Sequence, residues 1–406
     1  MKTMTSICIF FEAHQPYRIP EYTFFDIGDN HHYEDNKKNF KAINTVADNY
    51  YLPTNKKILD LINRSNGEFK VAFSLSGTLI EQMEQYRPDV LQSFIKLANT
   101  GCVEFLAETY YHSLSYLYSK EEFHRQIQKH QEKIKKHFNQ TPKVFRNHEL
   151  NYNNEIAIYI ERLGYKGIIC DAVNRNLHGR SPHQIFNTTG SKNIKCLLKQ
   201  YSLSDDAKFR FSAKGWKDFP LTIDKFSHKN NFVNEASDVI NIFMNYEQSV
   251  EQFDFLDYLP ESVLNHQKFD FKTPSEIINS YEAIEEYDTH NLTSWMDNQD
   301  EATTWKSNSM QHESLETIHE LEGLIKLIKD PLLLDKWSKL LTSDHFYRMC
   351  AKGTVNGNSL IQSDNNDSPY EAYIHFMNIA SDLDKTVRMI IQENYKKEVL
   401  LTTKVA

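Results

Sequence analysis

Long hydrophobic runs are missing from this chain. Ile7-Cys-Ile-Phe-Phe11, near the start, is too short for the core of a signal peptide and is followed at once by Glu12, so it reads as a first buried strand. No stretch approaches the roughly 20 apolar residues that a membrane helix needs. An excess of basic charge is missing too. With 46 Lys and Arg against 55 Asp and Glu, the net charge is −9, which argues against nucleic acid or an anionic membrane as partner. Cysteine is sparse and unpatterned: Cys8, Cys102, Cys170, Cys196 and Cys350 are odd in number and form no CxxC pair. Three of them sit in apolar runs where a reduced thiol packs well, so a reducing cytoplasm is the expected location. There is no HExxH helix and no tight His/Asp ligand spacing, and convergence of His14, His112 and His148 is the one route to a metal; no metal is expected. Internal repeats and low-complexity linkers are also lacking.

What is present is an alternation of short apolar runs with longer helical patterns. Strands are expected at residues 6–11, 70–76, 103–106, 144–146, 167–170, 194–199 and 239–244, with a further short run from Leu203. Helical patterns cover residues 42–63, 78–98, 120–138, 153–163 and 247–259. Such alternation indicates parallel βα units, closed as a barrel or open as a sheet. From Pro274 the strand signals fade, and residues 274–287, 310–328, 332–341 and 368–395 read as helices, the last opened by Ser368-Pro369. The expected division is therefore 1–272 for the βα part and 273–406 for a helical region. Aromatic residues make up 13% of the chain, which suits stacking on sugar rings and a large aromatic core equally well.

Four polar clusters stand at the ends of expected strands, where a βα barrel builds its site. Phe10-Phe-Glu-Ala-His-Gln-Pro16 brings His14 and Gln15 just after the first strand. Gly101-Cys-Val-Glu-Phe-Leu-Ala-Glu-Thr-Tyr-Tyr-His-Ser-Leu114 carries Glu104 inside an apolar strand, where a buried carboxylate needs a partner, and then Glu108 and His112. Val144-Phe-Arg-Asn-His-Glu-Leu-Asn-Tyr-Asn153 ends an apolar run with Glu149, and Asn241-Ile-Phe-Met-Asn-Tyr-Glu247 ends one with Asn245. These groups could bind sugar hydroxyls; structural ion pairs are the competing account.

Taken in order, these segments, with Ser294-Trp-Met-Asp297, Thr342-Ser-Asp-His-Phe-Tyr347 and Ser368-Pro-Tyr-Glu-Ala372, resemble glycoside hydrolase family 57, specifically its α-amylase branch. The resemblance spans nearly the whole chain. It implies a (β/α)7 incomplete TIM-like barrel followed by a C-terminal helical bundle that packs on the barrel and completes the site. It also implies retaining chemistry on α-1,4-glucans without a metal or organic cofactor. Glu149 falls on the nucleophile position, and Asn245 falls on the general acid/base position. Substrate-site roles fall on His14, Glu104, His112, Trp295 and Asp297.

The departures cluster around one site. Asn245 replaces the family's usual Asp, Gln248-Ser-Val-Glu-Gln252 replaces a Phe-Gly-Glu-His run, Gly179 stands where a Trp is usual, and His148 replaces a common Thr. An amide cannot give up or take a proton near neutral pH, so hydrolysis is expected to be impaired. Two other readings stay open: an active hydrolase or glucanotransferase with Glu247 or Glu251 as proton donor, and a scaffold that no longer binds sugar.

Overall fold

The computed structural model describes residues 4–199, 204, 215, 217, 222, 238–247, 250–293, 306–350 and 368–405. Seven parallel strands close on themselves: β1 (Thr5–Ala13), β2 (Val71–Leu75), β3 (Val103–Phe105), β4 (Val144–Arg146), β5 (Gly167–Asp171), β7 (Lys195–Lys199) and β8 (Val239–Asn245). The β3–β4 seam is made just beyond β3, by the parallel bridge of Ala107 with Phe145. The protein is thus a (β/α)7 barrel with additional helices. All nine residues of β1 are buried, because one face meets the helices and the other fills the barrel. Ile7, Ile9 and Phe11 join Phe73, Phe105 and Met244 in the outer core, whereas Cys8 and Phe10 join Ala72, Leu106, Val144 and Leu197 inside. The register sets Glu12 opposite both Ser74 and Asn245, so these side chains share one level at the strands' C-terminal ends.

The opposite end of the barrel is closed by a short strand and by the start of the 274–287 segment, the latter expected to be helical throughout. β9 (Phe269–Phe271) pairs with Thr5–Ile7, and a helix, Pro274–Ser280, then brings Ile277 and Ile278 into the inner core. Thr273 and Glu276 form a capping box at its start. Beyond this helix the chain forms β10 (Glu285–Tyr287), parallel to β6 (Phe186–Thr188), which runs antiparallel to the first part of β7. One compact unit comprises residues 1–15, 40–110 and 123–301. The other comprises residues 16–39, 111–122 and 302–406.

That second unit is helical: Ser309–Glu320, Glu322–Ile328, Pro331–Leu340, Ser343–Arg348 and the long Pro369–Val405. The buried Asp382 on the long helix gathers Tyr33 Oη (2.6 Å), the Gly28 N–H (2.6 Å) and His31 Nδ1 (2.7 Å). Burial alone would raise the Asp382 pKa, but the donors from Tyr33, His31 and Gly28 together hold it below the usual carboxylate value. Among the described residues no helix is long and apolar enough to cross a membrane.

The helix expected over 78–98 is two helices, Gly77–Tyr86 and Pro88–Ala98. Pro88 disfavours helical backbone at the residue before it, and Arg87 leaves the helical region at φ −139°, ψ 63°. Gly77 opens the first of these under the ring of Tyr110, where an added Cβ would lie 2.4 Å from ring carbons. That ring has little freedom, since Tyr110 Oη bonds Glu81 (2.5 Å) and Lys129 Nζ sits 4.0 Å from its centroid. Gly77→Ala is expected to cost about 1–3 kcal/mol through overpacking. Urea denaturation measures it, and an unchanged midpoint would contradict this account.

Candidate active site at the barrel mouth

The floor of the mouth is an ionic layer. Arg146, the last residue of β4, is fully buried, and its guanidinium pairs with Glu12 from β1 and with Glu108 (3.4 Å). Glu108 also accepts from Ser74 Oγ on β2 (3.1 Å). Burial lowers the His130 pKa and keeps the ring neutral. His130 Nε2–H then donates to the Leu75 carbonyl (2.8 Å), and Nδ1 accepts from the Glu108 N–H (3.4 Å). On the other side of the barrel Lys199 Nζ stands 3.6 Å from Asp171, at the ends of β7 and β5. Both cations flank the ring of Phe243, at 5.6 Å for Arg146 and 5.1 Å for Lys199.

Above Arg146 the chain makes one 3-10 turn, His148–Leu150, and Glu149 sits in it half-buried. Glu149 (φ 47°) and Leu150 (φ 55°) are both left-handed, a conformation that costs of order 1–3 kcal/mol for a non-glycine residue. Two buried asparagines hold the turn. Asn147 Nδ2 donates to the Asn151 carbonyl (3.1 Å), and Asn151 Nδ2 donates to the His148 carbonyl (2.9 Å). Strain of this kind persists where surrounding structure over-determines it, and such places are enriched in functional sites.

Asn245 ends β8. Its Oδ1 accepts from the Glu247 N–H (2.8 Å), which turns the chain out of the sheet. The amide oxygen is thereby committed, and the NH2 is the part of Asn245 left for a ligand. Glu247 lies beyond the strand and does not share the inward face of Asn245. Its Oε1 accepts from the His14 N–H (3.0 Å) and from Tyr51 Oη, and its Oε2 accepts from Gln15 Nε2 (2.9 Å). Burial, then the charge of Glu247, push the Tyr51 pKa well up, so Tyr51 is a neutral donor. An acceptor held by three donors is poorly placed to deliver a proton, which argues against Glu247 as the substitute acid.

His14 follows β1 at the same mouth, half-buried, with Nδ1 2.7 Å from Ser76 Oγ, the N-cap of the next helix. Glu104 is the expected site residue that the structure moves elsewhere. It lies two strand positions below Glu12, opposite Ala72, and both its oxygens are taken by Ser275, at 2.8 Å from the N–H and 2.5 Å from Oγ. Its partner is the start of the helix that closes the far end of the barrel, so its role there is structural. Burial raises the Glu104 pKa despite the bonds from Ser275. His112 is buried with φ 52°, and its carbonyl accepts from the Ser343 N–H (3.2 Å), within the helical unit. Trp295 and Asp297 lie outside the described residues, as does the side chain of Glu251. Sequence reasoning missed Arg146, Tyr51, Asn147 and Asn151. The charged residue ending an apolar strand was a signal for Arg146; Tyr51 carried none.

With this geometry in hand, comparison with known proteins places the chain. The sequence model for "Glycosyl hydrolase family 57" matches residues 8–290. The "Putative alpha-amylase" of Methanocaldococcus jannaschii is 34% identical over 407 aligned residues, covering 95% of this chain and 85% of that protein. A GH57 branching enzyme from Thermococcus kodakaraensis, solved in complex with glucose, superposes with a TM-score of 0.68 at 12% identity, over 97% of this chain and 91% of its own. A 4-alpha-glucanotransferase from Thermococcus litoralis gives 0.64 at 14%, over 85% of this chain. This chain spans 56% of the glucanotransferase. At such identities the two structures speak to the fold alone.

Removing Arg146 leaves Glu12 and Glu108 buried side by side without their cation. Arg146→Met is expected to lower stability by about 3–5 kcal/mol, as for other broken buried pairs. Chemical denaturation reads this, and a loss below about 1 kcal/mol would show that the layer contributes little.

Proposed function

The chain belongs to glycosyl hydrolase family 57, and from that premise we propose that it binds α-1,4-glucans in the barrel mouth with hydrolysis impaired at one step. The observation that carries this is the amide of Asn245, at the position where the family resemblance puts the acid/base. Glu149 takes the nucleophile position, on a strained and doubly braced turn. His14, His112, Trp295 and Asp297 are proposed to contact the sugar; Glu104 is not, given its bonds to Ser275. The name of the 34% identical relative, "Putative alpha-amylase", supports an α-glucan as ligand.

In a retaining reaction the Glu149 carboxylate attacks the anomeric carbon while an acid about 5 Å away protonates the departing oxygen. The same group then takes a proton from water as it attacks the glycosyl ester. Asn245 can offer a hydrogen bond through Nδ2 in the first step and nothing in the second. A sugar alkoxide leaves poorly without a proton, so the covalent chemistry stalls on natural glucans while binding remains.

Asn245→Asp is the direct test. An aspartate keeps the acceptor for the Glu247 N–H, so the turn should survive the change. Turnover of maltooligosaccharides is expected to rise by about 10²–10⁴-fold, the usual worth of a general acid. Adding Glu149→Gln should remove the gain. If the natural protein already cleaves these substrates as fast as the Asn245→Asp variant, another group supplies the proton and the reading is wrong. If calorimetry detects no binding of maltoheptaose, the glucan assignment fails as well.

A further inference from the structure

Large apolar side chains surface singly over much of the helical unit, which is ordinary. Phe24 and Phe25 surface together. They are 74% and 86% exposed, adjacent in the 3-10 turn Phe24–Asp26, with ring centroids 6.0 Å apart and ring planes at 79°. Burying a phenylalanine is worth about 1.5–3 kcal/mol, which a slack loop would recover by folding both rings inward. This loop is pinned on both sides of the pair. Before it, Tyr22 is fully buried, its carbonyl accepts from Asn378 Nδ2 (3.0 Å), and its Oη donates across the loop to the Asn30 carbonyl. At the pair itself, Asp26 Oδ2 accepts from the Thr23 N–H (2.8 Å) and Thr23 Oγ1 (2.6 Å). After it, Gly28, His31 and Tyr33 converge on Asp382 of the long helix. The frame holds two phenyl rings out in water.

The surroundings narrow the ligand. The exposed residues of the same loop include Glu21, Thr23, Asp29, His31 and His32. Residues 19–36 hold five acids, Glu21, Asp26, Asp29, Glu34 and Asp35, and no Lys or Arg. Lys336, Lys339 and Lys385 reach only the second half of the loop, at His31, Glu34 and Gly28. An anionic membrane would repel such a tip. Two phenyl rings cover about 300–500 Å², short of the roughly 800 Å² that each partner gives to a stable interface, which argues against a second copy as occupant. A neutral polyol fits both features. The C–H face of a pyranose stacks on an aromatic face, and its hydroxyl rim donates to carboxylate and hydroxyl acceptors. Successive sugars of an α-1,4-glucan turn relative to one another, and two rings at a steep angle offer a face to each. We propose that Phe24 and Phe25 form a glucan-binding platform on the helical unit, each ring stacking on one of two successive sugars. The proposal rests on the α-glucan reading above and requires no chemistry from Glu149 or Asn245.

The test uses the full chain and linear amylose, with affinity electrophoresis giving the dissociation constant. Phe24→Ala with Phe25→Ala is expected to weaken binding by about 10-fold or more, as the loss of two stacked rings implies, with the urea midpoint unchanged. Phe24→Leu with Phe25→Leu keeps apolar bulk without ring faces and should weaken binding as much. Phe24→Tyr with Phe25→Tyr should bind as the natural chain does. Phe25→Trp adds a reporter at the tip, and its fluorescence, read as the difference from the natural chain, should shift to shorter wavelength and saturate as amylose is added. Natural affinity in the alanine or leucine pair, or a reporter that amylose leaves unchanged, overturns the proposal. So does a dimer in sedimentation that the alanine pair dissolves, because the rings would then face a second copy. Amylose binding that is equal with and without the rings sinks the platform and leaves the α-glucan reading standing. A natural chain that binds no amylose sinks both.

Discussion

The contact on which the mouth of this barrel depends is the one between Arg146 and the two carboxylates of Glu12 and Glu108. Strands β1 and β4 are not neighbours, and the guanidinium joins their ends across the barrel interior. Through Ser74 and His130 the same network takes in β2 and the segment after β3. A buried ionic layer of this sort is expensive to desolvate and holds only with good geometry. Its effect here is to fix the level from which Glu149, His14 and Asn245 rise. The strained Glu149 backbone lies three residues beyond this anchored arginine, and Asn147 and Asn151 complete the bracing.

The same layer explains why one amide matters so much. Protons at an active site come from groups whose neighbours favour the protonated form. Here the carboxylates at the strand ends sit beside Arg146, Lys199 or a set of N–H and O–H donors, all of which favour the charged form. On the role proposed for Asn245, no substitute acid stands ready among these carboxylates. Glu247, two residues beyond Asn245, is one of the two substitutes that the sequence offers. The Asx turn at Asn245 ends the strand, so the alternation of faces does not carry past it, and Glu247 instead ties His14 and Gln15 to Tyr51.

Much of the fold could be read from the chain, for physical reasons that show where reading stops. The strand at Val144–Arg146 and the helix at Lys120–Phe138 lie where apolar pattern and flanking polar residues put them. The break before Pro88 was also written in the sequence, and a continuous apolar stripe on both sides of it masked the signal. β10 escaped notice because Glu285-Glu-Tyr287 has no apolar alternation and forms only by adding to β6. Glu104 drew attention as a buried carboxylate in a strand, and the need for a partner was real. That partner, Ser275, is 171 residues away and on the closed end of the barrel, which no local pattern reveals. The ion layer was invisible for the same reason: Glu12, Glu108 and Arg146 meet only when the barrel closes.

The central proposal is that Glu149 forms a glycosyl ester that discharges slowly to water, Asn245 being unable to act as base. Intact-protein mass spectrometry after incubation with α-maltosyl fluoride, followed by peptide mapping, tests it most directly. The account predicts one maltosyl group per chain on the peptide containing Glu149, persisting in the natural protein and short-lived in Asn245→Asp. An unmodified protein, or a label on any other peptide, would contradict it.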